Sequence, residues 1–233
     1  DLMGQIASMR AMLAVPRNQT DIMIAESQRA LDYLYPDNLH IRMSATWTLG
    51  YAHQVQGDRA AAIKAYTDAI TMSEASHNIM NSIAAHTCLG QVLESDNKLH
   101  QAKQMYQHVI ELVAEIAPSY ACEAYLGLAR LYYQWNDLDI AEQHVQESIK
   151  LAQQMENIDT PAVGWMLLSR IKLAQGDIPS ALNILETVDE FIHRNNFLHH
   201  IPELAGLRSI ILLHQDDITA SAQLIAEHDL PIA

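Results

Sequence analysis

Basic residues are scarce in this chain: 14 lysines and arginines stand against 28 aspartates and glutamates, a formal net charge of −14 over 233 residues. No stretch gathers Lys and Arg into a cluster. A nucleic-acid-binding module needs a basic footprint to displace counterions from phosphates, so these residues are not expected to contact nucleic acid directly. Long apolar runs are missing as well. No stretch reaches the roughly 18 apolar residues of a membrane span, and no secretory leader is legible, so no membrane partner is expected. Cysteine is limited to Cys88 and Cys122. They read as small core or half-buried thiols in a reducing cytoplasm rather than as a redox pair. The localisation these absences imply is cytoplasmic.

Catalytic signatures are absent too. The chain holds no G-x-x-x-x-G-K-[ST], no G-x-G-x-x-G and no G-x-S-x-G. Twelve histidines include His193, His199, His200 and His214 in the C-terminal third, yet none forms H-E-x-x-H or a Cys/His ligand set. His199 and His200 are sequential and are expected to point to different sides of a helix or loop. Acidic residues such as Asp58, Glu94 and Asp96 read as solvated surface. No catalytic residue, cofactor or metal is expected of this chain, and it does not read as an enzyme.

What the sequence does contain is a period. The loop signals Gly57-Asp58, Asn97-Lys98, Asn136-Asp137, Gly176-Asp177 and Asp216-Asp217 recur at spacings of 40, 39, 40 and 40 residues. A fixed period of that size marks a solenoid, in which each repeat buries its apolar face only against its neighbours. Eight residues before each loop stand Leu49, Leu89, Leu128 and Leu168, each followed by a small residue: Gly50, Gly90, Ala129, Ser169. Five residues after it come Ala62, Ala102, Ala141 and Ala181, and one helical turn further Tyr66, Tyr106, Val145 and Leu185. This resembles the tetratricopeptide-repeat pattern, one helix–turn–helix per repeat. Only Trp165 carries the motif's tryptophan; Thr46, His86 and Tyr125 hold that place elsewhere.

Glycine within a helix costs about 1 kcal/mol relative to alanine, so Gly50 and Gly90 need a packing reason. The expected one is close approach of the partner helix at the level of Ala62 or Ala102. Pro36, Pro118, Pro161 and Pro202 fall just before first helices, and Pro179 opens a second one, where a missing N–H is tolerated. The pattern predicts twelve helices at 3–14, 20–34, 40–56, 59–75, 79–95, 99–116, 119–135, 138–155, 160–175, 178–195, 200–215 and 217–228. No strand alternation or low complexity competes with them.

The fold class is therefore all-α, a right-handed superhelix of about six tetratricopeptide-like repeats. It is expected to form a single elongated domain over 1–233. The first and last repeats fit worst, with Ser221 in place of the alanine and Arg208 in place of the leucine. The opening Asp1-Leu2, inside an apparent helix, reads as a piece of a larger polypeptide.

First helices line the concave face of such a solenoid, and their groove rows follow by phase. One row is Trp47, Thr87, Leu126 and Met166. The next is Tyr51, Gln91, Arg130 and Arg170, and a third is Gln54, Glu94, Tyr133 and Leu173. Arg130 and Arg170 repeat at one phase beside Tyr51, Gln91 and Tyr133. Arginine supplies planar forked donors and the aromatics supply stacking faces, a surface suited to a polar small ligand or the acidic side of a peptide. The candidate ligand or partner groove is Trp47, Tyr51, Gln54, Gln91, Glu94, Arg130, Tyr133 and Arg170. An ordinary helix face with intramolecular pairs, such as Arg130 with Glu94 or Glu123, is the alternative. Trp135 reads as a packing residue between repeats.

The stretch Gly127-Leu128-Ala129-Arg130-Leu131-Tyr132-Tyr133-Gln134-Trp135-Asn136-Asp137-Leu138-Asp139-Ile140-Ala141-Glu142-Gln143-His144 is more specific. It resembles the L-x-x-x-Y-x-W-N-D-L-x-x-A-x-x-H segment of the helical-repeat domain of MalT-like, large ATP-binding LuxR-family transcriptional regulators. The segments Gly4 to Ala11, Leu49 to Asp58 and Ala226-Glu227-His228 match that domain as well. The likeness implies a bacterial, cytoplasmic activator. Its ATPase module would precede these repeats and its helix-turn-helix would follow them, so ATP is expected only in the missing N-terminal module. The repeat domain would receive a small effector or a regulatory protein and promote self-association. A generic peptide-binding adaptor unrelated to transcription is the alternative.

Overall fold

The period in the sequence has a backbone cause. Gly57, Asn97, Asn136, Gly176 and Asp216 all adopt positive φ, between 57° and 82°. Each stops the first helix of its repeat with the same bond, running from the N–H after it to a carbonyl five residues earlier. These are Asp58 to His53, Lys98 to Leu93, Asp137 to Tyr132, Asp177 to Lys172 and Asp217 to Leu212, at 2.8–3.0 Å. That is the left-handed C-terminal stop for which glycine, asparagine and aspartate are the tolerant residues. The next residue then starts the second helix. The carboxylates of Asp58, Asp177 and Asp217 accept from the N–H of Ala61, Ser180 and Ala220 at 3.0–3.1 Å.

The computed structural model describes residues 1–156 and 158–228. Among them it has twelve α-helices and no strand. The helices pack as successive antiparallel pairs, six helix–turn–helix hairpins in two compact units, Asp1–Ile116 and a second beginning at Ala117. The first unit holds α1 (Leu2–Ala14), α2 (Thr20–Tyr33), α3 (Leu39–Val55), α4 (Arg59–Ala75), α5 (Ile79–Ser95) and α6 (Leu99–Val113). The second holds α7 (Cys122–Gln134), α8 (Leu138–Ala152), α9 (Thr160–Ala174), α10 (Ile178–Asn195), α11 (Ile201–His214) and α12 (Ile218–Glu227).

Most boundaries agree with the sequence pattern to within a residue or two. The exceptions have local reasons. α6 ends at Val113, and the turn expected to open the next helix is a 3-10 segment, Pro118–Ala121. Proline forces the preceding residue out of the helical region, and Ala117 sits at φ −156°, ψ 69°. α8 stops at Ala152, three residues short of the expected end.

Gly50 and Gly90 do mark close approach, but one turn beyond the alanines. A Cβ on Gly50 would lie 2.9 Å from Tyr66 Cε1, and one on Gly90 would lie 2.5 Å from Tyr106 Cε1. The tyrosine rings, fully buried on α4 and α6, occupy the space that the missing side chains vacate. Where the later repeats put Ala129 and Ser169 at this position, Val145 and Leu185 replace the rings. In the last repeat Ser209 and Ser221 stand in for the small pair and share a hydrogen bond of 2.7 Å.

Between hairpins the contact face repeats in register. Ala45, Thr48 and Ala52 on α3 are buried, as are Ala85 and Val92 on α5, with Cys88 half-buried between them. Gly164, Leu167 and Ile171 on α9, and Leu204, Leu207 and Ile211 on α11 are buried likewise. The matching positions of α1, Ile6, Met9 and Leu13, are 37%, 65% and 71% exposed. The outer face of α1 is thus apolar, whereas a capping repeat presents a polar one.

Candidate functional site

Five of the eight groove candidates belong to the first unit. Trp47 and Tyr51, one turn apart on α3, stack with ring centroids 5.8 Å apart and planes 9° from parallel. Trp47 also packs against Met43, Ala69 and Ala85, and its Nε1 is buried without a hydrogen-bond partner among the described residues. The Tyr51 hydroxyl lies 3.4 Å from Asn18 Oδ1. Gln54 and Glu94 occupy equivalent positions on α3 and α5, each oriented by a tyrosine of the following helix. Tyr66 donates to Gln54 Oε1 at 2.8 Å and Tyr106 to Glu94 Oε2 at 3.0 Å. Burial pushes the Tyr66 hydroxyl far above its ordinary pKa, with the Cys88 thiol adding to the shift, so it remains a donor. Gln91 is half-buried on α5.

The other three candidates belong to the second unit. Arg130 is half-buried on α7, and Tyr133 packs on the cluster of Leu126, Ala129, Val145 and Ile171. Arg170 on α9 is exposed and pairs with Glu203 of α11 at 3.1 Å, with both side chains 44% exposed. That is one intramolecular Arg–Glu pair of the kind that a plain helix face would carry. Exposed pairs contribute only about 0–1 kcal/mol, so little holds the Arg170 guanidinium to this partner. Two residues further along α9, Lys172 contacts Glu142 at 2.6 Å. Burial would raise the Glu142 pKa, but the bonds from Lys172 and Gln175 outweigh it and hold the carboxylate low.

Three residues expected on the groove with Trp47 are placed differently. Thr87, Leu126 and Met166 are buried, because their phase faces the packed hairpins and not solvent. Trp135 packs edge-on against Tyr132 of its own repeat, 5.3 Å between centroids. Of the cysteines, Cys88 is half-buried and Cys122 buried. Burial pushes the Cys122 thiol up to about 11, which leaves it a weak nucleophile.

The histidines bring a correction. His199 and His200 do not diverge: both direct Nε2 at Asp159 Oδ2, at 3.1 and 3.0 Å, with ring centroids 4.1 Å apart. The reason is the 3-10 turn Leu198–His200. Its position, one repeat after the start of α9, places consecutive side chains over the loop that carries Asp159. Burial raises the Asp159 pKa, yet the hydrogen bonds from His200 and His199 lower it below the ordinary carboxylate value. Asp159 and His199 stand 40 residues apart, one repeat length.

Among the described residues no helix is long and apolar enough to cross a membrane. Hairpins of two helices with a small residue at the crossing and a left-handed stop define a tetratricopeptide-like repeat protein. The MalT-like TPR region model matches residues 4–232, and the chain belongs to that family. No curated protein sequence matches it. Among solved structures it is similar to the apo form of RapI, at 11% identity and TM-score 0.78, over 96% of this chain and 83% of that one. Aspartyl phosphate phosphatase F from Bacillus subtilis aligns at 12% identity and TM-score 0.74, over 97% of this chain and 58% of that one. The signal transduction ATPase with numerous domains from Pyrococcus horikoshii, which carries a tetratricopeptide repeat sensor, aligns at 12% identity and TM-score 0.74. That match covers 95% of this chain and 34% of the other. At such identities the likenesses establish the fold alone.

Proposed function

We propose that this chain is the signal-receiving repeat region of a bacterial, cytoplasmic, ATP-dependent LuxR-family activator, binding a small effector or a regulatory protein and promoting self-association. The family match over residues 4–232 carries the reading. The similarity to a signal-transduction ATPase with a repeat sensor accords with it. In the first unit the receiving surface is the stacked pair Trp47 and Tyr51 with Gln54, Gln91 and Glu94. In the second it is Arg130, Tyr133 and Arg170. The aromatic faces and forked donors favour a polar ligand with flat or anionic groups. A ligand changes the state of such a protein only through different affinities for its inactive and assembly-competent forms.

A reporter assay with the whole regulator tests this. Arg130→Ala combined with Arg170→Ala is expected to shift the inducer dose response to higher concentration while leaving the helical circular dichroism unchanged. An unchanged dose response overturns the assignment of these arginines. The reading frame tests the rest: a phosphate-binding loop upstream and a basic helix-turn-helix downstream are expected. A frame with neither supports the adaptor reading instead.

A further inference from the structure

We propose that Asp159, His199 and His200 form a binding site for one divalent transition ion of the zinc type, with Asp159 Oδ2 and both Nε2 atoms as ligands. The three ligand atoms lie within 4.8 Å of one another. Zinc–nitrogen and zinc–oxygen bonds are about 2.0–2.2 Å, so ligand atoms around one tetrahedral ion stand roughly 3.3–3.6 Å apart. The two nitrogen–oxygen distances, 3.0 and 3.1 Å, are a few tenths of an ångström shorter than that. An ion can therefore take the place of the two N–H···O bonds with a small swing of the rings.

The donor set selects the metal. Two imidazoles and one carboxylate suit zinc, cobalt or nickel, whereas magnesium and calcium prefer oxygen alone. On binding, each neutral imidazole presents its Nε2 lone pair and keeps its proton on Nδ1, so no redox step or extra reactant is needed. The carboxylate is anionic near neutral pH and partly offsets the ion's charge. His200, 12% exposed at the side chain, anchors the site, while His199 and Asp159, at 63% and 43%, keep one side open for water or a further ligand. Phe197, 6.3 Å from the His199 ring, walls it.

The site also has a structural consequence. Asp159 directly precedes α9, and His199 and His200 close the turn that leads into α11. An ion there staples the start of one repeat to the start of the next. The inference is independent of the effector reading, since it uses none of the groove residues.

Titration of the chain with zinc chloride against a chromophoric zinc indicator tests it. One equivalent per chain is expected to bind, with a large excess of magnesium failing to compete. His199→Ala and Asp159→Asn should each weaken binding at least about tenfold, since even loss of an outer-shell partner costs 10–100-fold. His214→Ala should leave it unchanged. His199 is largely exposed, so its removal does not threaten folding, and circular dichroism of each variant confirms this. Thermal unfolding should shift upward with zinc in the parent chain and not in His199→Ala. No saturable binding, or equal affinity in the parent and both ligand variants, overturns the proposal.

Discussion

Single residues decide how closely the two helices of a hairpin approach. Gly90 is smooth because the Tyr106 ring fills its face, and the pair Ala129 with Val145 solves the same problem with different volumes. Gly90→Ala should therefore destabilise the protein by about 1–3 kcal/mol, the range for overpacking. In a Tyr106→Val background the same change should cost less. A urea double-mutant cycle with no coupling between the two sites would contradict this. Gly57 differs: a Cβ there meets open space, but φ is +80°. Gly57→Ala should cost about 1–2 kcal/mol through backbone conformation alone. Gly57→Asn should cost less, since Asn97 and Asn136 already hold that conformation; equal denaturation midpoints for the two variants would refute the explanation.

At the scale of elements, helix number, order and hairpin pairing were legible, because the stop residue, the small residue and the alanine recur in phase. The 3-10 opening at Pro118 was less legible, since a proline before a helix fits either form. Side-chain direction was legible only in part. Phase alone could not separate Thr87, Leu126 and Met166, which face a packed hairpin, from Gln54 and Glu94, which face a tyrosine hydroxyl. His86 shows what burial adds. It sits on α5 with Ser82, faces His108 on α6 at 4.5 Å, and feels Glu74 from α4. Burial lowers its pKa below 6.5, with His108 adding to the shift and the Ser82 backbone and Glu74 opposing it. The folded state thus favours neutral His86. Its contribution is complete above the unfolded value of about 6.5 and is lost as pH falls through the lower folded value. Unfolding free energy should decline from about pH 7.5 to 5, and His86→Gln should flatten that decline. A parallel decline in both proteins would assign the loss to other groups.

At the scale of the whole molecule, the family and the repeat architecture were both readable from the sequence, because a period needs no long-range contact to be seen. The convergence of Asp159 with His199 and His200 was not. It depends on a turn that aims two consecutive side chains at one carboxylate a repeat away. The groove residues lie in two compact units, and each carries its own recognisable chemistry: stacked aromatics in the first, arginines in the second. The central claim is that these residues, each set within its own unit, receive a chemical signal. The direct test is a thermal-shift screen of the chain against maltooligosaccharides, organic anions, amino acids and nucleotides. Each hit is then repeated on the Arg130→Ala/Arg170→Ala and Trp47→Ala variants. A ligand at 100 times its dissociation constant should stabilise the folded state by about 2.7 kcal/mol. The account predicts such a shift in the parent chain and its loss in at least one variant. A hit retained in full by both variants would contradict it.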